Sequence, residues 1–150
     1  MKRIISSALA VIALFCFDCM AVDWQTDFAK ASADAKQSGR FMLLDFSGSD
    51  WCGWCMKLEA EVFSQLAFNS YAAENLVCVA VDFPRRKAQP AELKKQNEEL
   101  AGRYHIEGLP TVVILSPQGE LAGVTGYQDG GAANYVEHIK EIIADYKKKT

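Results

Sequence analysis

Two cysteines three residues apart, Cys52 and Cys55, stand between a run of strand-like residues and a run with helical spacing. Each is preceded by a tryptophan in the stretch "SGSDWCGWCMK", Ser47 to Lys57. Such a pair can be a structural staple, part of a metal site or a reactive dithiol, and each role needs a different chain around it. If the pair opens a helix, the first cysteine meets free backbone N–H groups and the positive end of the helix dipole. The second then lies one turn on, on roughly the same face, where a disulfide can span the two. The motif therefore asks for a strand, a short loop and a helix at this point in the chain.

The flanking sequence supplies them. "FMLLDF", Phe41 to Phe46, has the length and apolarity of a buried strand, with one misplaced charge, Asp45. After the motif, Cys55, Leu58 and Val62 recur at helical spacing, and residues 64–75 add a further helical turn or two. Upstream, Trp24, Phe28, Ala31 and Ala35 predict an amphipathic helix stopped at Gly39. "LVCVAVDF", Leu76 to Phe83, is a second buried strand rich in β-branched residues. A loop bounded by Pro84 and Pro90 carries Arg85, Arg86 and Lys87, which read as a solvated basic turn, with a substrate contact as the alternative. A polar helix follows over 91–104, with Leu93, Leu100 and Tyr104 on one side. Then come a strand at Thr111 to Leu115, a turn, and a strand at Leu121 to Thr125. The last helix turns Val136, Ile139, Ile143 and Tyr146 inward and ends in lysines that suit its dipole. Alternation of helices and strands predicts an α/β or α+β sheet with helices on both faces.

The first residues stand apart. Lys2 and Arg3 precede an apolar stretch from Ile4 to Phe17, and Ala21 is a suitable residue before a cleavage site. The pattern predicts a signal peptide over residues 1–21 and one domain over 22–150, in preference to an uncleaved membrane anchor. "CFDC", Cys16 to Cys19, repeats the motif spacing but falls in the removed segment. The remaining cysteines, Cys52, Cys55 and Cys78, are too few for a disulfide framework. The chain is weakly acidic, with a net charge of −3, and loses two basic residues and one acidic residue with the signal, which disfavours a nucleic-acid partner.

A closed zinc site needs four ligands, and only Cys78, His105 and His138 are available beyond the pair. Haem attachment needs a histidine after the second cysteine, where Met56 stands. No metal is therefore expected. The redox reading assigns Cys52 as nucleophile and Cys55, which should be the more buried, as resolving thiol. Cys78 reads as a core cysteine, His105 and His138 as surface residues, and Asp50 as a candidate helix cap.

"WCGWC" after an apolar strand, with "GLPT", Gly108 to Thr111, before a later strand, resembles the thioredoxin superfamily over nearly the whole of 22–150. "SGSDWCGWC" and "VDFPR" are most similar to its exported single-domain members, among them the DsbH-type reductases. The resemblance implies a thioredoxin fold, a central mixed β-sheet flanked by helices. It implies that Pro110 is cis, that its loop lies against the cysteine pair, and that the Leu109 backbone binds the substrate chain as an added strand. It places Asp45 beneath Cys55 as a buried proton acceptor, although one more residue separates it from Trp51 than in thioredoxin. Trp51 should pack beside the pair, and Trp54 is either a substrate platform or a shield for Cys55. The family's proline between the cysteines is replaced by Trp54, and the histidine of oxidising relatives is absent, which implies a reducing couple. The implied activity is thiol:disulfide exchange with exported, periplasmic proteins by a monomer. No cofactor beyond the Cys52–Cys55 disulfide is implied, and a reductase would need a membrane electron donor. An oxidase or isomerase, or a non-catalytic client- or metal-binding module, are the alternatives.

Overall fold

The structure is a computed structural model that describes residues 22–150. The signal-peptide reading of residues 1–21 lies outside the described residues. Five strands form one sheet in the order β1-β3-β2-β4-β5. They are β1 (Trp24–Gln25), β2 (Phe41–Ser47), β3 (Leu76–Asp82), β4 (Thr111–Leu115) and β5 (Leu121–Thr125). β3 runs parallel to β1 and β2, whereas β4 is antiparallel to β2 and β5. The sheet is thus mixed, as the thioredoxin fold requires.

The helices are α1 (Phe28–Ser38), α2 (Gly53–Leu58), α3 (Leu66–Asn75), α4 (Ala91–Arg103) and α5 (Gly131–Lys149). α2 runs directly into a wider π-helical segment, Glu59–Phe63. Strand alternation sorts the side chains into two cores. Phe41, Leu43, Cys78, Val112 and Ile114 meet Leu58, Val62, Phe68 and the inner face of α5. Met42, Leu44, Phe46, Val79 and Val113 meet Ala31, Ala35 and Leu100 from α1 and α4.

One sequence expectation fails at the start of the fold. Trp24 lies on β1, paired with Cys78, and not on a helix. The four-residue step from Trp24 to Phe28 imitates a helical repeat, but the Asp27 side chain accepts from the Lys30 N–H at 3.0 Å and starts the helix after it. The Trp24 ring packs on Phe63, with centroids 5.1 Å apart. The expected stop holds: Gly39 takes φ 70° at the end of α1, a conformation that suits glycine. The segment after the motif is more helical than its sequence suggests, because α3 spans 10 residues.

Candidate active site

The site is built where β2 ends and α2 begins. Ser47 closes the strand by accepting the Phe83 N–H at 2.8 Å. The chain then turns on the Gly48 carbonyl, which accepts N–H groups from Trp51 at 3.2 Å and Cys52 at 2.9 Å. A side chain at residue 48 would place its Cβ 2.5 Å from the Trp51 ring, so only glycine lets the tryptophan fold back over the turn. Cys52 has extended backbone, φ −90° and ψ 105°, and is itself the cap of α2. Its Sγ accepts the Cys55 N–H at 3.2 Å.

Cys52 and Cys55 form a disulfide with Cα atoms 5.2 Å apart. Their exposures are 7% and 5%, so the expected order of burial holds only narrowly. The clearer difference is position: Cys52 sits at the helix start, and Cys55 sits inside the first turn beside a cavity.

That cavity, of about 400 Å³, is lined by Cys55, Asp45, Trp24, Glu59 and Asp82 among others. Asp45 reaches it because strand alternation puts it on the same face as Leu43 and under α2. Its Oδ1 is sheltered from solvent and has no hydrogen-bond partner. Burial, helped by the negative charges of Glu59 and Asp82 and opposed by the Ser47 side chain, pushes its pKa from 3.8 up to about 7. Even with the residue added between Asp45 and Trp51 relative to thioredoxin, Asp45 stays half-buried at the cavity wall with one carboxyl oxygen sheltered.

Asp50 is not the helix cap. Its carboxylate accepts the backbone N–H groups of Arg85, Arg86 and Lys87 at 2.9, 2.7 and 3.0 Å. Those bonds, the one from Arg85 foremost, hold it below the usual carboxylate range. The 84–87 loop is therefore tied to the motif, where a freely solvated turn was expected. Trp51 adds a second tie by donating Nε1–H to the Phe83 carbonyl at 2.7 Å, and the Arg85 guanidinium lies 3.5 Å over its ring. Ser49 fastens the motif to the end of β3, donating its N–H and hydroxyl to Asp82 at 2.8 and 2.6 Å.

Trp54 is 58% exposed. Its ring lies 5.2 Å from that of Tyr127, and Lys57 Nζ stands 5.0 and 4.7 Å from the two centroids. Tyr127, on the loop after β5, donates its hydroxyl to Glu61 at 2.5 Å. The sequence offered no spacing that joins it to Trp54.

The Leu109–Pro110 bond is cis, as the family resemblance implies. Thr111 pairs with Phe46, so the proline loop and the cysteine motif leave the same end of adjacent strands. Leu109 is half-buried against the core shared with α1 and α4.

The remaining candidates lie elsewhere. Cys78 is a buried free thiol on β3, its pKa pushed up by burial. His105 is exposed, whereas His138, expected on the surface, is half-buried with a ring nitrogen 2.9 Å from the Thr125 hydroxyl.

The thioredoxin-like domain family is matched over residues 28–141. The disulfide bond reductase DsbH of Chlamydia pneumoniae is 34% identical over 122 residues, which cover 81% of this chain and 73% of that protein. The thioredoxin-related protein DsbJ of the same organism is 32% identical over 127 residues, 84% of this chain but only 36% of DsbJ. A solved structure of a DsbH oxidoreductase superposes with a TM-score of 0.79 at 33% identity, covering 82% of this chain and 85% of that one.

Proposed function

This chain belongs to the thioredoxin-like domain family and is homologous to the Dsb thiol:disulfide oxidoreductases, and from that premise we propose that it reduces disulfides in exported proteins. The Cys52 thiolate attacks one sulfur of a substrate disulfide, and the other substrate sulfur leaves and takes a proton from solvent. Cys55 then passes its proton to the Asp45 carboxylate and attacks Cys52 Sγ. The second substrate sulfur leaves and is protonated in turn. Two electrons move from the dithiol to the substrate, and the protein is left as the Cys52–Cys55 disulfide. Leu109 and the Pro110 loop hold the substrate backbone, with Trp51 and Trp54 at its sides.

The observation that carries the direction is the surroundings of Cys52. The donor recorded at its sulfur is the neutral Cys55 N–H and not a cation, and Gly53 and Trp54 stand between the cysteines without a histidine. Among the described residues no cationic side chain donates a hydrogen bond to that sulfur, and Arg85 and Lys57 lie over the rings of Trp51 and Trp54. A thiolate with little cationic support is costly, so the dithiol gives up electrons readily. On the other side, the carboxyl group at Asp45 disfavours a second negative charge at Cys55 until it takes up a proton.

The protein works as a monomer outside the cytoplasm after removal of residues 1–21. There it is cut off from the cytosolic thiol pool, so a membrane protein that carries dithiol electrons re-reduces it.

Equilibration of the Cys52–Cys55 pair with a redox buffer tests the direction. A potential near that of thioredoxin, about −270 mV, is expected, and one near about −120 mV would make the protein an oxidase. Reduction of insulin by dithiothreitol tests turnover: the wild type accelerates it and Cys52→Ser does not. If the wild type has no effect, the client-binding reading takes its place.

A further inference from the structure

The structure points to a selectivity surface at the 84–87 loop: we propose that Arg85, Arg86 and Lys87 favour protein substrates that carry acidic residues beside the disulfide to be reduced. The inference rests on the function proposed above and names its substrate class.

Three observations place these cations beside the chemistry. The loop is fixed, because the backbone N–H groups of all three residues are bonded to one carboxylate, that of Asp50, two residues before Cys52. The loop is also docked on the residue before the nucleophile, through the Trp51 Nε1–H to Phe83 bond and the Arg85 guanidinium over the Trp51 ring at 3.5 Å. Finally, the side-chain charges are not held in salt bridges. Residues 85–87 are exposed, and among the described residues none of the three takes part in a salt bridge, whereas Lys30, Lys57, Lys94, Lys95, Lys140 and Lys148 all pair with acids three or four residues away.

Asp50 touches the loop through its backbone, so those bonds leave the side-chain donors of all three residues unused. In a chain with a net charge of −3, these three adjacent cations form a local positive patch, and the ties above hold it against Asp50 and Trp51, the residues just before Cys52. Such a cluster raises the encounter rate of an oppositely charged segment and repels a like-charged one. A substrate strand laid along the Pro110 loop with its sulfur at Cys52 would pass Trp51, and its flanking carboxylates would meet Arg85 first. The planar guanidinium, seated 3.5 Å over the indole, has the fork of donors that suits a bidentate contact with a carboxylate.

The test uses disulfide-bridged peptides identical except for three flanking residues, which are acidic, neutral or basic. Their reduction by the full-length protein, kept reduced by dithiothreitol, is followed at low salt and at about 0.5 M salt. The acidic peptide should react about tenfold faster than the neutral one at low salt, and the ratio should fall toward one in high salt. In a variant with Arg85→Gln, Arg86→Gln and Lys87→Gln the low-salt ratio should also fall toward one. Because the ratio is internal to each protein, any general loss of activity cancels. Arg85→Lys keeps the charge but not the planar fork and should retain the salt-dependent part of the preference. Equal rates for the three peptides, or a preference that survives the triple variant, would overturn the proposal while leaving the reductase function standing. If even the neutral peptide is not reduced, the reductase function itself fails and the selectivity falls with it.

Discussion

Asp45 lies in register with Ala80 on β3 and Val112 on β4, and an apolar residue there would complete the core. A carboxyl group in that position carries a cost that depends on pH. Its pKa rises from 3.8 in the unfolded chain to about 7 in the fold. Between those values the folded state holds a proton that the unfolded state has lost, so stability is fully present below the lower value and declines as pH rises through the upper one. The whole change corresponds to about 4 kcal/mol at most. Asp34, Asp50 and Asp145 are shifted the other way, and the stability they contribute is lost only below the ordinary carboxylate range. Denaturant titration of the oxidised protein should therefore show lower stability at pH 8 than at pH 5. Asp45→Asn should flatten that slope and exceed the wild type at pH 8, while slowing release of the mixed disulfide for want of a proton acceptor. Equal stability of the wild type at the two pH values would mean that the carboxyl is hydrated and cannot hold the role proposed for it.

Among the elements, the β3–α4 connection departs furthest from a sequence reading. Its residues look like a solvated basic turn, yet it is held to the active-site loop at Asp50 and Trp51. Asp50→Ala should free three N–H groups and loosen the turn without moving the strands, since β2 and β3 remain paired along their length. Trypsin, which cuts after Arg85, Arg86 and Lys87, should nick this variant several-fold faster than the wild type, and the amides of residues 85–87 should lose hydrogen-exchange protection. Because the Asp50 pKa is lowered, wild-type protection should persist from pH 8 to pH 5 and weaken only in stronger acid. Equal cleavage of both proteins would show that the loop is held by other contacts. The contrast explains which parts of the molecule can be read from the sequence. β2, β3, β4 and β5 are apolar runs, and periodicity finds them. The cysteine pair is a spacing, and it too is plain. Trp24 is misread because a four-residue step is shared by a helix and by an accident of a strand and a cap. Asp50, Arg85 and Tyr127 act across 35 residues or more, through contacts that only the folded chain creates. Asp45 is intermediate: its oddity on a strand is visible, but its environment needs the neighbouring strands and α2.

For the whole molecule, folding and redox state are linked by a closed cycle, native and unfolded, oxidised and reduced. Both cores pack on the one sheet whose edge of turns carries the disulfide, so the fold fixes the surroundings of Cys52 and Cys55 in a way the unfolded chain cannot. Any difference in reduction potential between the native pair and the same pair in the unfolded chain must reappear as a difference in stability between the oxidised and reduced proteins. If the native surroundings support a Cys52 thiolate poorly, the native dithiol is the stronger reductant and the oxidised protein is the more stable. If instead the thiolate is strongly stabilised, as in an oxidase, the reduced protein is the more stable. The scale of the effect is large: the span between about −270 and about −120 mV corresponds to roughly 7 kcal/mol for two electrons. Guanidinium unfolding of the two forms, with the reduced form held under excess dithiothreitol, therefore reads the direction of electron flow without any substrate. The oxidised form should unfold at the higher concentration. A reduced form that outlasts it would place the couple on the oxidising side and remove the physical basis for a reductase.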